Sequence, residues 1–369
     1  MKNMLQLIDR SNSNGGAQKH TLLITKEFAK KGYNVWLACP PGDYVEEFRK
    51  LEKYGVEIIV VDMNKSFFKS LLELRAIVLK NEISIIHSHL LKSDFLSALI
   101  KISIGKKLKV ITTIHNILSE DVQGLKKIIY TQFAKFSFKY IDKAFSVSKD
   151  VRDTTIKYFS LKEEKVMTVL NGIDTEQYEN IDVSSSSKRK ELGISQSDFV
   201  ITCAGALIER KGQQVLIEAL KMTKYKVKLL LLGSGENEDF LSQKIDNYGL
   251  KDQVVLLGHR SDVLEIINES DIYVQPSLWD PLPRAMLEAM GLGIASIGSN
   301  VNGIPEVITH LETGLLVNPN DPIDLKNKIE ILIEDNTLRK DISKKGKEFI
   351  LKNCTTSRMC KEIELSISL

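Results

Sequence analysis

No run of apolar residues in this chain is long enough to cross a bilayer; stretches such as Leu229–Leu232 fall far short of the roughly 20 residues that a spanning helix needs. The first residues, Met1-Lys-Asn-Met-Leu-Gln-Leu-Ile-Asp9, hold no apolar region of a secretory leader, so a cytoplasmic protein is expected. Cysteine is scarce. Cys39, Cys203, Cys354 and Cys360 show neither metal-ligand nor redox spacing and fit reduced thiols, with the last two expected as core residues of one helix. No Asp-x-Asp occurs, which removes the simplest device for holding a metal–diphosphate complex. Neither the glycine fingerprint of dinucleotide sites nor a Gly-Lys-Ser/Thr phosphate loop follows the first apolar strand, which argues against a nicotinamide-dependent oxidoreductase. Basic and aromatic residues form no recognisable nucleic-acid module, so no nucleic-acid partner is expected.

What is present points to a globular enzyme-sized protein. A chain of 369 residues exceeds the size at which one core keeps growing, so two domains are expected. Its 43% hydrophobic and 27% charged residues are ordinary for such a protein. Net charge is only +3 but unevenly spread. Through Thr175 there are 28 Lys and Arg against 19 Asp and Glu, net +9; the remainder carries 23 against 29, net −6. The first half therefore suits an anionic partner. Much of its excess lies in Gly124–Lys143, where Lys126, Lys127, Lys135, Lys139 and Lys143 meet only Asp142, and Ile129, Phe133, Phe136 and Tyr140 recur at helical spacing. Two readings fit that stretch: a basic amphipathic helix of the core, or a helix lying on an anionic membrane surface.

Short β-branched or Leu-rich runs alternate with helical patterns, as a doubly wound parallel sheet requires. In the first half strands are expected near Met4–Ile8, Asn34–Ala38, Val56–Val61, Ser84–His87, Lys109–Thr113, Ala144–Val147 and Val166–Val169, separated by helices such as Gln18–Lys31 and Ser66–Lys80. A polar, linker-like run, Ser184–Lys190, follows. A second series reads Phe199–Ala204, Lys226–Leu232, Gln253–Leu257, Ile272–Val274 and Ile294–Ile297. The expectation is an α/β protein with two doubly wound domains facing across a cleft. Its divisions are an N-terminal domain over 1–172, a linker over 173–195, a C-terminal domain over 196–350, and a last helix over 351–369. Ligands of open parallel sheets sit at the carboxyl ends of the strands.

Several strand ends carry glycine or polar groups suited to a phosphate-bearing ligand. Gly15-Gly16 precedes the first helix, whose N-terminus favours negative charge. Gly205-Ala-Leu-Ile-Glu-Arg-Lys-Gly212 puts Arg210 and Lys211 just before another helix, and Gly233-Ser-Gly235 and Gly258-His-Arg260 follow later strands. His87-Ser-His89 has no third metal ligand nearby in sequence, so a histidine packed at a strand end is preferred to a metal site. His115 also ends a strand. The segment Pro276–Met290 brings Asp280 to the start, and Glu288 to the middle, of an almost wholly apolar helix that should begin at Pro283 and stop before Gly291. Asp280 would serve there as an N-cap and Glu288 as the i, i+4 partner of Arg284, unless both acids belong to a site.

Taken together these landmarks, with Val169-Leu-Asn-Gly-Ile-Asp174, Pro276-Ser277, Gly303-Ile-Pro-Glu306 and Gly314-Leu-Leu-Val317, resemble retaining nucleotide-sugar glycosyltransferases of family 4 over nearly the whole chain. The resemblance implies the GT-B architecture of two Rossmann-like domains, an N-terminal one for the acceptor and a C-terminal one for the donor, with the last helix crossing back to the first. It implies metal-independent sugar transfer without a cofactor, from a donor such as a UDP- or GDP-sugar to a glycan or lipid-linked acceptor. The setting would be capsule, lipopolysaccharide or glycolipid synthesis, with peripheral contact at the inner face of the plasma membrane. In the paired-acid hallmark of the family, Asp280 holds the first position and Glu288 the second. Glu288 would accept from the ribose hydroxyls, Asp280 would meet the donor sugar, and Lys211, with Arg210, would neutralise the diphosphate. His115 would touch the sugar near its anomeric centre. His259 and Arg260 would hold the base, Leu282 and Pro283 would border the donor, and Gly15, Gly16 and Gly235 would let backbone approach it. Asp280 stands where glutamate is usual, Pro281 where glycine is, and Ala206 where arginine is. The alternatives are an epimerase or hydrolase of nucleotide sugars on the same fold, and a non-catalytic sugar-nucleotide-binding relative.

Overall fold

The computed structural model describes residues 2–12, 15–116, 124–179 and 187–368. The chain divides into two compact units: Met1–Gly172 with Thr356–Leu369, and Ile173–Thr355.

The first unit is built on seven strands: β1 (Asn3–Ile8), β2 (Asn34–Cys39), β3 (Glu57–Val60), β4 (Ile85–His89), β5 (Lys109–Ile114), β6 (Lys143–Ser146) and β7 (Val166–Thr168). They pair in the order β3-β2-β1-β4-β5-β6-β7, every pair parallel. A parallel sheet covered on both faces demands strands that are apolar on both sides. Hence β1 reads Met-Leu-Gln-Leu-Ile after its first residue, all five buried. Helices begin where a side chain satisfies their open N–H groups: Ser66 accepts from Lys69 at 3.4 Å before Phe67–Lys80, and Ser148 from Val151 at 3.3 Å before Lys149–Phe159. The last helix, Thr356–Ser368, belongs to this unit. Its Met359, Cys360, Ile363 and Ile367 join the cluster of Ile24 and Phe28, and Glu364 accepts from Lys31 at 3.0 Å and from Tyr33 at 2.9 Å.

The second unit has six strands: β8 (Val200–Ala204), β9 (Lys228–Leu232), β10 (Val254–Leu256), β11 (Ile272–Gln275), β12 (Ala295–Ser299) and β13 (Leu315–Val317). Their order is β10-β9-β8-β11-β12-β13, again all parallel. Each sheet is laid down outward from one strand and then restarts on that strand's other side. The order therefore reverses between β1 and β4 in one unit and between β8 and β11 in the other, and such reversals leave a crevice at the carboxyl ends.

Each of the twelve strands expected from sequence lies on one found here. Five local readings change. β13 was not foreseen as a strand. Gly291 does not follow the helix but lies inside it; the helix runs Arg284–Leu292 and ends on Gly293, whose φ of 86° suits a left-handed C-cap. Gly291 is small because Ile173 and Tyr178 pack where its Cβ would be. Asp280 is not the N-cap of that helix, a place taken by Pro283. Cys354 and Cys360 lie on different elements, one capping Asn336–Asn353 and the other within Thr356–Ser368, and all four cysteines are buried. Of the polar run, 184–186 fall outside the described residues, while Ser187–Glu191 form a short helix. Among the described residues no helix is long and apolar enough to cross a membrane.

The two tryptophans report the units separately, Trp36 the first and Trp279 the second. Ile363→Ala should destabilise the first unit by about 2–4 kcal/mol, as emptying a buried aliphatic site does. In urea unfolding the Trp36 transition should move to lower denaturant while the Trp279 transition stays in place.

Candidate functional site

In the second unit the turn after β8 and the turn after β11 meet across the reversal point. Lys211 Nζ lies 2.6 Å from Asp280 Oδ2, with Asp280 only 2% exposed. Ser277 Oγ donates to the same oxygen at 3.2 Å, and the Asp280 N–H donates to Asn302 Oδ1 at 3.2 Å. Behind them runs a buried chain: Gln275 Nε2 donates to Ser277 Oγ at 2.8 Å, and Tyr273 Oη lies 2.8 Å from Gln275 Oε1. A buried carboxylate needs such partners, because desolvation without them costs several kcal/mol. The turns approach so closely that only glycine fits between them. A Cβ on Gly212, whose φ is 71°, would stand 1.9 Å from the Pro276 carbonyl oxygen. Gly233 repeats the device against Gly205 O, with φ of 131° and 2.0 Å.

Arg210 stays beside Lys211. Its carbonyl accepts from Leu278 at 2.8 Å, and its guanidinium lies 5.3 Å from the Trp279 ring centroid. Directly after Pro283, Arg284 donates to Glu288 Oε1, one helical turn further on, at 2.8 Å, both side chains largely buried. The i, i+4 pair read from sequence is therefore formed. Tyr178 packs beside this helix. Its hydroxyl has no hydrogen-bond partner among the described residues, and burial, reinforced by the Glu288 charge, raises its pKa. Leu282 is buried, and Gly235 lies against the Leu207 carbonyl. His259 is exposed. Arg260 is engaged elsewhere: its guanidinium donates to Asp262 at 2.7 and 2.6 Å and to Glu191 at 2.6 Å. The Arg260 hydrogen bonds hold the Asp262 carboxyl far below the usual carboxylate range.

The first unit carries a different chemistry at its reversal point. Side chains two apart on a strand share a face, so His87 and His89 of β4 both turn to the face where Gln6 of β1 and Thr113 of β5 wait. His87 Nε2 is 2.8 Å from Thr113 Oγ1, and His89 Nε2 is 3.0 Å from Gln6 Oε1. Sequence offered these histidines no third ligand, yet folding brings His20 and His115 to them. His89 Nδ1 is 3.2 Å from His115 Nε2, His20 Nδ1 is 3.1 Å from Asn171 Oδ1, and one ligand atom from each of His20, His89 and His115 falls within 4.8 Å of the others. Three imidazoles so placed could hold a metal ion. The hydrogen bonds also close without one, as a chain in which His115 donates to His89 and His89 to Gln6. Burial holds His87 and His89 well below the ordinary histidine pKa, hence neutral. Gly15 caps and Gly16 opens the helix Gly16–Lys30 beside β1.

His115 also lines a cavity of about 700 Å³ within the first unit, together with Asp9, Lys92, Asp94, Phe95 and Phe133. Burial pushes the Asp94 carboxyl up to about 7, although the Ser88 and Thr112 hydroxyls donate to its Oδ1, each at 2.6 Å. Sequence reasoning assigned no role to Asp94, Gln275, Ser277, Tyr178 or Asn302. Gln275 and Ser277 alone left a trace, as polar residues directly after the apolar Ile272–Val274.

Two outcomes follow from this geometry. Gly212→Ala should lower the Trp279-reported stability by at least about 1–3 kcal/mol from backbone strain alone, and should separate Lys211 from Asp280. Asp94 binds a proton more tightly folded than unfolded, so it favours the fold at low pH and loses that advantage as pH rises from its unfolded pKa to about 7. Asp94→Asn, which keeps the acceptor for Ser88 and Thr112, should therefore lessen the fall in the Trp36 transition between about pH 4 and about pH 7.

Known proteins share these features. A family model described as "Glycosyltransferase Family 4" matches residues 14–177, and one described as "Glycosyl transferases group 1" matches residues 184–349. The chain is 28% identical over 338 residues to the UDP-Gal:alpha-D-GlcNAc-diphosphoundecaprenol alpha-1,3-galactosyltransferase of Escherichia coli, covering 88% of this chain and 86% of that one. It is 28% identical, covering 87% of both chains, to the N,N'-diacetylbacillosaminyl-diphospho-undecaprenol alpha-1,3-N-acetylgalactosaminyltransferase of Campylobacter jejuni. The fold matches the crystal structure of Anabaena HepE in complex with UDP, with a TM-score of 0.86, 21% identity and full coverage of both chains. The two parallel sheets are those of the GT-B fold, and the chain belongs to the family 4 glycosyltransferases.

Proposed function

We propose that this protein transfers a sugar from a nucleotide-sugar donor, with retention at the anomeric carbon and without a metal, to a lipid-diphosphate-linked glycan. The observation that carries the donor half is the Lys211–Asp280 pair at the reversal between β8 and β11. It keeps a cation where the carboxyl ends of the strands and a helix N-terminus favour a diphosphate. Supporting the acceptor half, the Escherichia coli and Campylobacter jejuni relatives are both named for acceptors on undecaprenol diphosphate, and the first half of the chain carries the positive excess.

In this reading the bond from the anomeric carbon to the diphosphate breaks, leaving negative charge on phosphate and positive charge on the sugar. Lys211, with Arg210 beside it, meets the first; Asp280 lies near the second. The acceptor oxygen bonds to the anomeric carbon on the face the diphosphate leaves, and its proton passes to the departing phosphate oxygen. Glu288 clamps the ribose hydroxyls, with Arg284 holding the carboxylate in place. His115 is assigned to the reacting sugar, and Leu282 and Pro283 to the donor's border. His259, Arg260 and the Gly258 backbone are assigned to the base, with Asp262 and Glu191 holding the Arg260 guanidinium. Work at the inner face of a membrane, in the cytoplasm, follows from a lipid-linked acceptor.

Losing one charge-stabilising contact typically costs about 2.7–4 kcal/mol in the transition state. Lys211→Ala and Glu288→Ala should therefore each lower transfer by about two to three orders of magnitude; each also leaves a buried partner uncompensated and lowers the Trp279 unfolding transition, which shows whether the variant is still folded under the assay conditions. The measurement is product formation from a panel of nucleotide sugars with a prenyl-diphosphate-linked N-acetylhexosamine. Wild-type rates in either variant would refute the roles, and donor isomerised without acceptor would make the protein an epimerase.

A further inference from the structure

The cavity of the first unit is polar where the sheet forms it and aromatic where the helices do. Asp9 and Arg10 follow β1, Leu90 and Lys92 follow β4, and His115 and Asn116 follow β5. The opposite lining comes from Phe67, Phe95, Tyr130, Phe133, Phe138 and Phe159. The rings of Phe67 and Phe133 pack on Phe95 at 5.7 and 4.7 Å between centroids. Beyond the cavity the same helices stay apolar toward solvent. Phe67–Lys80 exposes Phe68, 78%, and Leu72; Gly124–Tyr140 exposes Leu125, 71%, Ile128 and Ile129. Among these residues stand Lys126, Lys127, Lys135 and Lys139. Core packing does not account for this helix: it buries Ala134, Ser137 and Phe138 and leaves its first two turns facing outward. Apolar side chains interspersed with lysine are what a helix at a charged lipid surface presents.

We propose that this cavity holds the hydrocarbon chain of an isoprenoid diphosphate, with the diphosphate at Arg10 and Lys92 and the chain running over Phe95 and Phe133 toward the exposed faces of the two helices. Arg10 is exposed at the cavity's sheet-derived lining, and Lys92 Nζ, 2.7 Å from Asn64 Oδ1, supplies a second cation from a different turn. Asp9 and Asp94 line the same end: Asp9 Oδ2 accepts the Ser93 N–H at 3.0 Å, Asp94 Oδ1 accepts two hydroxyls, and burial raises the pKa of both, which favours their neutral forms beside an anion. The assignment deepens the lipid-linked acceptor reading and rests on it.

The test titrates the full-length protein with farnesyl diphosphate, inorganic diphosphate and hexadecyl phosphate by calorimetry. Farnesyl diphosphate should bind at least about tenfold tighter than inorganic diphosphate, since burying even two methylenes gives that factor. Phe133→Asp and Phe95→Ala should each abolish the gain. Ile128→Asp, outside the cavity, should retain it, and the Trp36 transition shows which variants are folded. Should Phe133→Asp not fold, a photoreactive farnesyl diphosphate should label Phe95 or Phe133 in the wild type. Equal affinity for farnesyl and inorganic diphosphate, hexadecyl phosphate binding as tightly as farnesyl diphosphate, or labelling confined to Leu125 and Ile128 would overturn the proposal. Farnesyl binding without any sugar transfer would leave this site standing and sink the enzymatic role. Transfer to a water-soluble glycan without prenyl affinity would do the reverse.

Discussion

The buried pair of Lys211 and Asp280 organises the second unit's carboxyl edge. It joins the turn after β8 to the turn after β11 at the point where the strand order reverses. Placing two charges there is costly, and their attraction repays the cost only with good geometry and further hydrogen bonds. Ser277 provides such a bond to the carboxylate, Asn302 fixes the turn by accepting the Asp280 N–H, and Gly212 provides the room, because any side chain at that position would collide with the Pro276 carbonyl. An apolar pair of similar volume would hold the turns together at least as well. The charges therefore make better sense as equipment for a ligand than as a source of stability. A cation already desolvated and aimed can exchange its carboxylate for a phosphate with little rearrangement.

The first unit uses the same topology for another purpose. Its reversal point holds hydrogen-bonded histidines instead of an ion pair, and its cavity joins polar strand ends to aromatic helix faces. In the proposed reading one unit serves a charged leaving group and the other an amphiphile. The charge asymmetry of the sequence has the same division, with net +9 through Thr175 and net −6 after it.

Most of the architecture was legible because parallel strands buried on both faces leave short continuous apolar runs, which residues such as Leu229–Leu232 display. β13 was not read as a strand although Gly314-Leu-Leu-Val317 stood among the family landmarks. Gly291 misled because glycine serves two ends: a left-handed helix stop, which Gly293 performs, and a close approach, which Gly291 allows to Ile173 and Tyr178. The pairing of Arg284 with Glu288 was visible from spacing alone, as a contact within one helix must be. The contact of Lys211 with Asp280 was not, since it depends on which strands become neighbours. His20 meeting His89 and His115 was hidden for the same reason, and so was Asn302 beneath Asp280. Family likeness supplied roles for single residues; only folding supplied their partners, and it showed that Arg260 is committed to Asp262 and Glu191.

The central claim, proposed above, is that Lys211 serves a nucleoside diphosphate and that Asp280 occupies Lys211 until the diphosphate displaces it. Calorimetric titration of UDP and GDP into the wild type and into Asp280→Asn tests this directly. Removing the carboxylate both releases Lys211 and deletes a negative charge near the phosphates, so the favoured diphosphate should bind more tightly to the variant although transfer is impaired. Unchanged or weaker binding of both nucleotides in a folded Asp280→Asn protein would contradict the account.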